Sequence, residues 1–218
     1  LKIYEERKEQ VQIAQKVKES IDSEQNLVAE AGTGVGKTLA YLIPSILSGK
    51  KVVISTGTKN LQEQIIVRDL PLLRKVLKQR IDFQLMKGRT NYLCKLRAEQ
   101  AQKNGYLPND PLYDEQRAIH SFIDRTNTGD KAEIEDLKDN SSLWKEYSAN
   151  YQQCTGRLCS YYDNCWINIM RYRAQSAQLL IVNHHLYFTD LAIKYNRGSN
   201  SVIPAHEIVI FDEAHDLE

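Results

Sequence analysis

The sequence predicts an α/β protein in which a parallel sheet flanked by helices is interrupted by an inserted, mainly helical domain. Short apolar runs alternate with stretches of helical spacing, and this alternation is typical of parallel sheets. The alternation stops over residues 88–170, which hold all four cysteines of the chain. We therefore expect the sheet domain to occupy residues 1–87 and 171–218, with the insertion between them.

Apolar spacing and turn residues place the elements along the chain. Strands are expected where short runs are apolar or rich in β-branched residues, at 27–29, 51–55, 81–86, 178–182 and 208–211. Helices are expected where apolar residues recur every three or four positions, at 5–21, 38–43, 61–78, 114–125 and 131–147. The run at 208–211 is continuously apolar, which favours a strand buried on both faces. Pro71 should interrupt the third helix, and residues 126–130 should form a solvated loop.

Bulk composition leaves the binding partner open. The 218 residues carry 29 basic and 28 acidic side chains, a formal net charge of +1, so any nucleic-acid surface must be local. Since no apolar run reaches the roughly 18 residues that a membrane span needs, we expect a cytoplasmic protein with no membrane partner. The chain starts at Leu1 and ends three residues after His215, which leads us to expect a fragment of a longer parent.

A glycine-rich segment after the first predicted strand has the pattern of a phosphate-binding loop. Its glycines let the backbone turn tightly and direct N–H groups at phosphate oxygens, and the following helix adds the positive end of its dipole. Lys37 should reach the β- and γ-phosphates, and the Thr38 hydroxyl should bind Mg²⁺. Ala31 stands where this pattern usually has glycine. The predicted ATP-binding residues of the loop are Ala31, Gly32, Thr33, Gly34, Val35, Gly36, Lys37 and Thr38.

An acidic motif closes the last predicted strand. Asp212 follows this strand at its carboxyl end, where open α/β sheets bind their ligands, and its carboxylate is a natural partner of Mg²⁺. Glu213 is then placed to orient or deprotonate the water that attacks the γ-phosphate. His215 is expected to relay the state of that phosphate rather than to act as a base. Together with Lys37, these three side chains form the predicted catalytic set.

The four cysteines form one candidate metal site. Cys94 stands apart, and Cys154, Cys159 and Cys165 follow with four and five residues between them. In a reducing compartment such a set indicates a metal rather than disulfides. Four thiolates suit either Zn²⁺ or an iron–sulfur cluster, and the spacing alone does not choose between them. Unrelated buried thiols are the remaining alternative.

Aromatic and basic side chains surround the last three cysteines. Stacking rings interleaved with cations suit single-stranded nucleic acid, although a small core around the metal would use some of the same rings. This group consists of Tyr151, Arg157, Tyr161, Tyr162, Trp166, Arg171, Tyr172 and Arg173.

Taken in order, these motifs resemble the XPD-like branch of superfamily 2 helicases, and most closely the bacterial DinG/YoaA group. The likeness rests on residues 30–38 around the phosphate loop, residues 87–94 that lead into the first cysteine, residues 182–186, and the acidic motif at 212–215. Together with the three later cysteines, these stretches follow the family's order. The resemblance spans nearly the whole chain.

The resemblance implies a fold, an activity and roles for individual residues. It implies a RecA-like lobe with an inserted iron–sulfur domain, and an ATP-dependent 5′→3′ DNA helicase that serves DNA repair or replication. Arg7 and Gln10 would help to recognise the nucleotide. The four cysteines would hold a [4Fe–4S] cluster, which makes zinc the less favoured occupant. Residues 55–64 also resemble the family segment that binds the DNA backbone. The candidate DNA contacts, drawn from this segment, from the other motifs and from the aromatic and basic group, are Thr56, Thr58, Gln62, Arg89, Tyr162, Arg171, Asn183 and His184.

The same resemblance implies partners. They are single-stranded and forked DNA, a second helicase lobe of the parent chain, and replication or repair proteins near the bacterial nucleoid. Because ATP lies between two lobes in such motors, we expect this chain alone to unwind little DNA. Two other interpretations stay open: a single-stranded DNA-binding module with a redox-sensing cluster and a nucleotide switch, and a zinc-containing P-loop ATPase that remodels proteins. Of His184 and His185, one is expected to be structural and the other to make a polar contact.

Overall fold

Two units make up the chain. The structure, a computed structural model, describes residues 7–32, 34–103, 105–135, 137–138, 140–197 and 201–217. The sheet unit comprises Leu1–Met86 and Ala174–Glu218. The cysteine unit comprises Lys87–Arg173 and contains all four cysteines.

A parallel sheet forms the centre of the sheet unit. Its four strands within the described residues are β1 Val52–Thr56, β2 Phe83–Leu85, β3 Leu179–Asn183 and β4 Ile208–Asp212. They lie in the order β2-β3-β1-β4, and every pair is parallel. β1 and β3 are almost wholly buried, as expected for strands covered by helices on both faces. The predicted parallel α/β architecture is confirmed.

Helices cover both faces of this sheet. They are α1 Lys8–Ser23, α2 Lys37–Leu47, α3 Lys59–Gln64, α4 Leu70–Leu77 and α9 His184–Arg197, with a π-helical segment at Ile65–Asp69 and a 3₁₀ turn at Ala214–Leu217. On one face, Leu42 of α2 and Ile54 of β1 share a core against which Ile210 of β4 packs. Successive strand residues face opposite ways, and the next residue, Phe211, stacks on Phe188 of α9 with ring centroids 5.5 Å apart.

The strand register brings three predicted site residues to one edge of the sheet. Thr56, the last residue of β1, is the register partner of both Asn183 at the end of β3 and Asp212 at the end of β4. Parallel strands end at the same edge, which is where open α/β sheets bind ligands.

Helical segments and a small core build the cysteine unit. Its helices are α5 Lys95–Ala101, α6 Tyr113–Arg125, α7 Trp144–Tyr147 and the start of α8 Trp166–Ser176, with 3₁₀ turns at Arg89–Asn91, Lys131–Glu133 and Gly156–Leu158. The side chains of Phe122, Leu143, Trp144 and Tyr147 are buried in one cluster. By contrast, every residue from 150 to 158 is exposed.

The strand predicted at 27–29 is absent from the described sheet. These residues have no regular secondary structure, and Val28 is 97% exposed. β4 is also partly exposed rather than buried on both faces as predicted. β4 ends the described sheet on one side, where no described segment pairs with it. A strand is fixed by hydrogen bonds to a neighbour.

The helix predicted at 131–147 is not continuous, because the described residues of this range form only a 3₁₀ turn and the short α7. Ser141 Oγ accepts a hydrogen bond from Trp144 N at 3.1 Å, and the Asp130 carboxylate accepts one from Ala132 N at 3.0 Å. Short polar side chains that bond to nearby backbone compete with a continuous helix.

The loop predicted at 126–130 is packed rather than solvated. Thr126 is buried, and its hydroxyl accepts a hydrogen bond from Gly129 N at 2.8 Å. Lys87 Nζ forms an ion pair with Asp130 at 2.5 Å. The polar side chains of this loop therefore form hydrogen bonds and an ion pair within the protein rather than contacts with solvent alone.

Pro71 does not end the helix predicted at 61–78. A π-helical segment precedes α4, and Pro71 lies in the first turn of α4, where the missing N–H costs little.

Candidate nucleotide-binding site and cysteine cluster

The described part of the phosphate loop has a backbone that only glycine adopts readily. Gly34 has φ +80° and Gly36 has φ +89°, both in the left-handed region. Gly36 is the N-cap of α2. A Cβ on Gly36 would also lie 2.4 Å from Gln10 Nε2. Of the predicted loop residues, Thr33 lies outside the described residues.

Helix α1 holds this loop through two side chains. Arg7 Nη1 donates a hydrogen bond to the Gly34 carbonyl at 2.7 Å, and Gln10 Nε2 donates one to the Gly36 carbonyl at 3.0 Å. Arg7 and Gln10, which were predicted to help recognise the nucleotide, therefore contact the loop itself. They precede the loop residues that they contact by 27 and 26 positions.

Lys37 and Glu213 form an ion pair next to the loop. Lys37 Nζ lies 3.3 Å from Glu213 Oε1, and both side chains are partly buried. Lys37 is the first residue of α2, and Glu213 follows the last residue of β4. The pair thus joins the two motifs that the sequence placed in one site.

Asp212 is buried and hydrogen-bonded to a residue that the sequence analysis missed. Tyr41 OH donates to Asp212 Oδ2 at 2.8 Å. Burial, followed by the Asp212 charge, raises the pKa of Tyr41 well above its ordinary value, so Tyr41 keeps its proton as a donor. Tyr41 also interacts with the Thr38 hydroxyl. Its position three residues after Thr38 on α2 is the signal that could have found it, because residues three apart share a helix face.

We call Lys37, Thr38, Tyr41, Asp212 and Glu213 the nucleotide edge. Its oxygen donors, a threonine hydroxyl and a carboxylate, are those that Mg²⁺ prefers, together with phosphate and water. The set therefore fits this cation, although no group of three or more His, Cys, Asp or Glu side chains in the described ranges is arranged to hold a metal by itself.

His215 lies at the exposed side of this edge. Its side chain is 74% exposed, and Nδ1 lies 3.4 Å from Glu213 Oε2 while Nε2 lies 3.6 Å from Asp216 Oδ1. Asp216 was not predicted as a site residue. A Cβ on Gly57 would lie 2.2 Å from Asp216 Oδ2, so glycine at 57 allows the 3₁₀ turn after β4 to approach the end of β1.

His184 has a structural position. Its ring is buried, with Nδ1 2.7 Å from Ser55 Oγ and Nε2 3.1 Å from the Asp212 carbonyl. The ring links β1 to β4 behind the nucleotide edge. The predicted DNA contact through His184 does not fit this geometry, because both ring nitrogens are used inside the protein. His185 is exposed.

The other DNA candidates of the sheet unit divide by exposure. Thr56 and Gln62 are buried. Thr58 is exposed and caps α3 by accepting a hydrogen bond from Leu61 N at 3.3 Å. Asn183 is exposed, and its Oδ1 accepts from Leu186 N at 2.8 Å. Thr58 and Asn183 are therefore the two candidates that a ligand can reach.

In the cysteine unit, the thiols share one electrostatic neighbourhood. Burial raises the pKa of Cys94, and the charges of Cys165 and Cys159 raise it further. Cys165 and Cys154 both act on the Arg171 guanidinium. A [4Fe–4S] cluster would bind each of the four thiolates at a separate iron.

Backbone structure fixes three of the four cysteines. Cys94 N donates to the Tyr147 carbonyl at 2.8 Å, Cys159 N to Gly156 O at 3.0 Å, and Cys165 N to Tyr162 O at 3.3 Å. The fourth, Cys154, is exposed. We call residues 150–165 the cysteine loop.

Two buried N–H groups in this unit support a fit to an iron–sulfur cluster. Trp166 Nε1 and Arg171 Nε are shielded from solvent and have no hydrogen-bond partner among the described atoms. Trp166 directly follows Cys165, and its ring lies 4.5 Å from Lys95 Nζ. Buried donors normally have acceptors, and cluster sulfurs accept such hydrogen bonds.

Aromatic side chains of the cysteine unit reach its surface. Arg89 lies over the Tyr151 ring at 5.2 Å, and Tyr151 and Tyr172 are 69% and 79% exposed. Tyr162 is half-buried. Exposed rings beside a cation are what single-stranded nucleic acid stacks on.

In this site, a glycine loop at the start of a helix lies beside a carboxylate pair at the end of a parallel strand. This combination defines the class of P-loop nucleotide-binding proteins. Comparison with known proteins narrows this class. The family described as DEAD/DEAH box helicase matches residues 11–103. The chain is 41% identical over 217 residues to the ATP-dependent DNA helicase YoaA of Haemophilus influenzae, covering 100% of this chain and 34% of that protein. It is 30% identical over 233 residues to the helicase DinG of Mycobacterium tuberculosis, covering 97% and 34%.

A solved structure of truncated XPD shares the fold, with a TM-score of 0.50 at 18% identity, covering 94% of this chain and 52% of that one. The chain is therefore similar in sequence to DEAD/DEAH box helicases of the YoaA and DinG type. It spans about a third (34%) of the length of these relatives. Within the described ranges, no helix combines the length and the apolarity needed to cross a bilayer.

Proposed function

We propose that this chain is the ATP-binding lobe of a 5′→3′ DNA helicase that carries a [4Fe–4S] domain. One observation carries the nucleotide part of the proposal. Lys37 Nζ and Glu213 Oε1 lie 3.3 Å apart although 176 positions separate them in sequence. The fold thus brings a phosphate-binding cation and a candidate base to one edge of the sheet. The similarity to YoaA and DinG, which are ATP-dependent helicases, supports the same assignment.

Each residue of the nucleotide edge has a role in this proposal. The loop amides and Lys37 bind the β- and γ-phosphates, and Lys37 leaves Glu213 to do so. Thr38 and Asp212 hold Mg²⁺, which neutralises charge on the phosphate oxygens when bound. Tyr41 fixes the orientation of the Asp212 carboxylate. Glu213, released from Lys37, orients the attacking water.

Two substitutions test these roles. In the full-length protein that carries this chain, Lys37→Ala and Glu213→Gln should each lower ATP turnover by at least about 100-fold. Binding of a fluorescent ATP analogue should separate them, because only Lys37→Ala removes a phosphate contact. Lys18→Ala is the control, since Lys18 pairs with Asp22 on the exposed face of α1. Turnover in either test variant comparable to the parent would contradict the proposal.

The cysteine unit supplies the second part of the proposal. Cys94, Cys154, Cys159 and Cys165 hold a [4Fe–4S] cluster, and residues 88–170 form the iron–sulfur domain within a lobe made of residues 1–87 and 171–218. The shared neighbourhood of the thiols and the two buried donors without acceptors support this assignment. The cluster keeps the cysteine loop ordered.

An absorption spectrum of anaerobically purified protein tests the cluster. A broad band near ~400 nm with about four irons and four sulfides per chain is expected for four thiolate ligands. One zinc per chain, or no metal, would contradict the cluster and leave the nucleotide site unaffected.

Single-stranded and forked DNA are the substrates that we propose. In the sheet unit, Thr58 and Asn183 are accessible for backbone contacts, and in the cysteine unit Tyr151 beside Arg89 offers a stacking ring. A second lobe of the parent chain, repair or replication proteins, and a place near the bacterial nucleoid belong to the same proposal.

A further inference from the structure

Arg171 has a buried donor that nothing in the described structure satisfies. Its Nε is shielded from solvent and has no hydrogen-bond partner. A guanidinium has five N–H donors and cannot lose its charge in proteins, so it cannot escape the cost of burial by becoming neutral. Burying an unsatisfied donor on a charged group is unfavourable. An acceptor beside this donor is therefore expected.

The surroundings of Arg171 point to sulfur. The side chain is half-buried, and the charges that favour its protonated form come from Cys165, Cys154 and Tyr162. Among the groups of the described residues that act on it there is no carboxylate, and Arg89 opposes it with a like charge. Cys165 directly precedes α8, the helix that contains Arg171, and Cys154 lies within the cysteine loop. A DNA phosphate would need an exposed guanidinium instead.

We propose that Arg171 donates its Nε–H to a sulfur of the [4Fe–4S] cluster and thereby sets the reduction potential of the cluster. This inference rests on the cluster assigned under the proposed function. Reduction adds one electron and makes the cluster more negative, and a buried positive donor stabilises the more negative state. Arg171 is thus a positioning and tuning residue for the cluster rather than the DNA contact that the sequence suggested.

The reduction potential gives a direct test. In a redox titration followed by electron paramagnetic resonance, Arg171→Gln should shift the cluster potential to a lower value, with iron and sulfide content unchanged. Arg157→Gln is the matched control, because Arg157 carries the same charge between Cys154 and Cys159 but is exposed, where solvent screens it. Its potential should equal that of the parent. An unchanged potential in Arg171→Gln, or an equal shift in both variants, would overturn the inference.

A second variant covers the case in which Arg171→Gln does not assemble the cluster. Arg171→Lys keeps the charge and removes the guanidinium Nε–H, and its potential should also fall below that of the parent, by less. A parental potential in Arg171→Lys would contradict the inference. The two proposals fail differently: a parent without iron and sulfide contradicts the cluster itself, whereas a loaded parent with insensitive variants contradicts only the role of Arg171.

Discussion

The nucleotide edge of the sheet unit and the cysteine loop of the cysteine unit are organised in different ways. At the nucleotide edge, side chains from distant segments hold one another: Tyr41 bonds to Asp212, and Lys37 pairs with Glu213. In the cysteine loop, residues 150–158 are exposed, and the described backbone hydrogen bonds are local, such as Tyr162 N to Cys159 O at 3.0 Å. The protein therefore organises the first site by its own contacts, whereas we propose that the second depends on the cluster bound by its thiols.

The largest effect is expected from a substitution that disrupts the cysteine loop and leaves the nucleotide edge intact. Cys159→Ser removes one of the proposed cluster ligands, and a structural metal contributes on the order of 10 kcal/mol to the folding of a small domain. The exposed chain around Arg157 should then become disordered, so that trypsin cleaves there at least about ten times faster. Limited digestion followed by mass spectrometry measures this rate.

A neighbouring substitution provides the control for Cys159→Ser. Ser160 is exposed and follows the cysteine directly, and Ser160→Ala should leave the digestion rate unchanged. Binding of the ATP analogue should be the same in both variants, because the nucleotide edge has its own contacts. If Cys159→Ser were as resistant to trypsin as the parent, the proposed difference between the two sites would be wrong.

The same difference explains what the sequence could predict. The order of the motifs and the parallel sheet were predictable, because glycine turns, β-branched runs and a terminal carboxylate leave local signals at Gly36, Val52–Thr56 and Asp212. Tyr41 was missed because a tyrosine one helical turn after Thr38 looks like an ordinary core residue. His184 was predicted to contact DNA because its burial results from the packing of the whole sheet, which the residue type alone does not reveal.

In the cysteine unit, the prediction from sequence was wrong where polar residues form hydrogen bonds and ion pairs with one another. Thr126 and Asp130 read as a solvated turn, yet they bond to Gly129 and Lys87. The strand predicted at 27–29 failed for a different reason, since strand formation depends on a pairing partner as well as on the residues themselves.

The packing of the cysteine unit can be tested at Gly129. This residue has φ +71°, and an added Cβ would lie 2.2 Å from Trp166 Cδ1. Gly129→Ala should therefore destabilise the unit by about 2–4 kcal/mol, from backbone strain plus overpacking. Both tryptophans of the chain, Trp144 and Trp166, belong to this unit, so tryptophan fluorescence during urea unfolding reports on it alone.

Gly156 offers a matched control for Gly129. It has φ +57° in the same unit, and an added Cβ would meet nothing within 4 Å. Gly156→Ala should cost only the strain, about 1 kcal/mol. Equal losses in the two variants would show that the Trp166 ring does not oppose the added Cβ at position 129.

A smaller effect is expected at the nucleotide edge. Tyr41→Phe removes the hydroxyl that donates to the buried Asp212 at 2.8 Å, and the loss of one such bond should destabilise the sheet unit by about 1–3 kcal/mol. Urea unfolding followed by far-UV circular dichroism measures this loss. Tyr195→Phe is the control, because Tyr195 is 91% exposed.

Since the proposed role of Tyr41 is only to orient Asp212, ATP turnover in Tyr41→Phe should fall far less than in Glu213→Gln. An equal fall in the two variants would contradict the positioning role.

The smallest effect is a pH dependence confined to the cysteine unit. Burial lowers the pKa of His120 from its ordinary value of 6.5, although the Asp124 charge opposes this, and His120 Nε2 lies 2.9 Å from Tyr147 OH. As pH falls through 6.5, the unfolded chain takes up a proton that folded His120 does not, so the stability of the unit should decrease until the pH reaches the folded pKa. His120→Gln should flatten this slope in the tryptophan fluorescence of urea unfolding, whereas replacement of exposed His185 in the sheet unit should not. An unchanged slope in His120→Gln would show that another group causes the acid sensitivity.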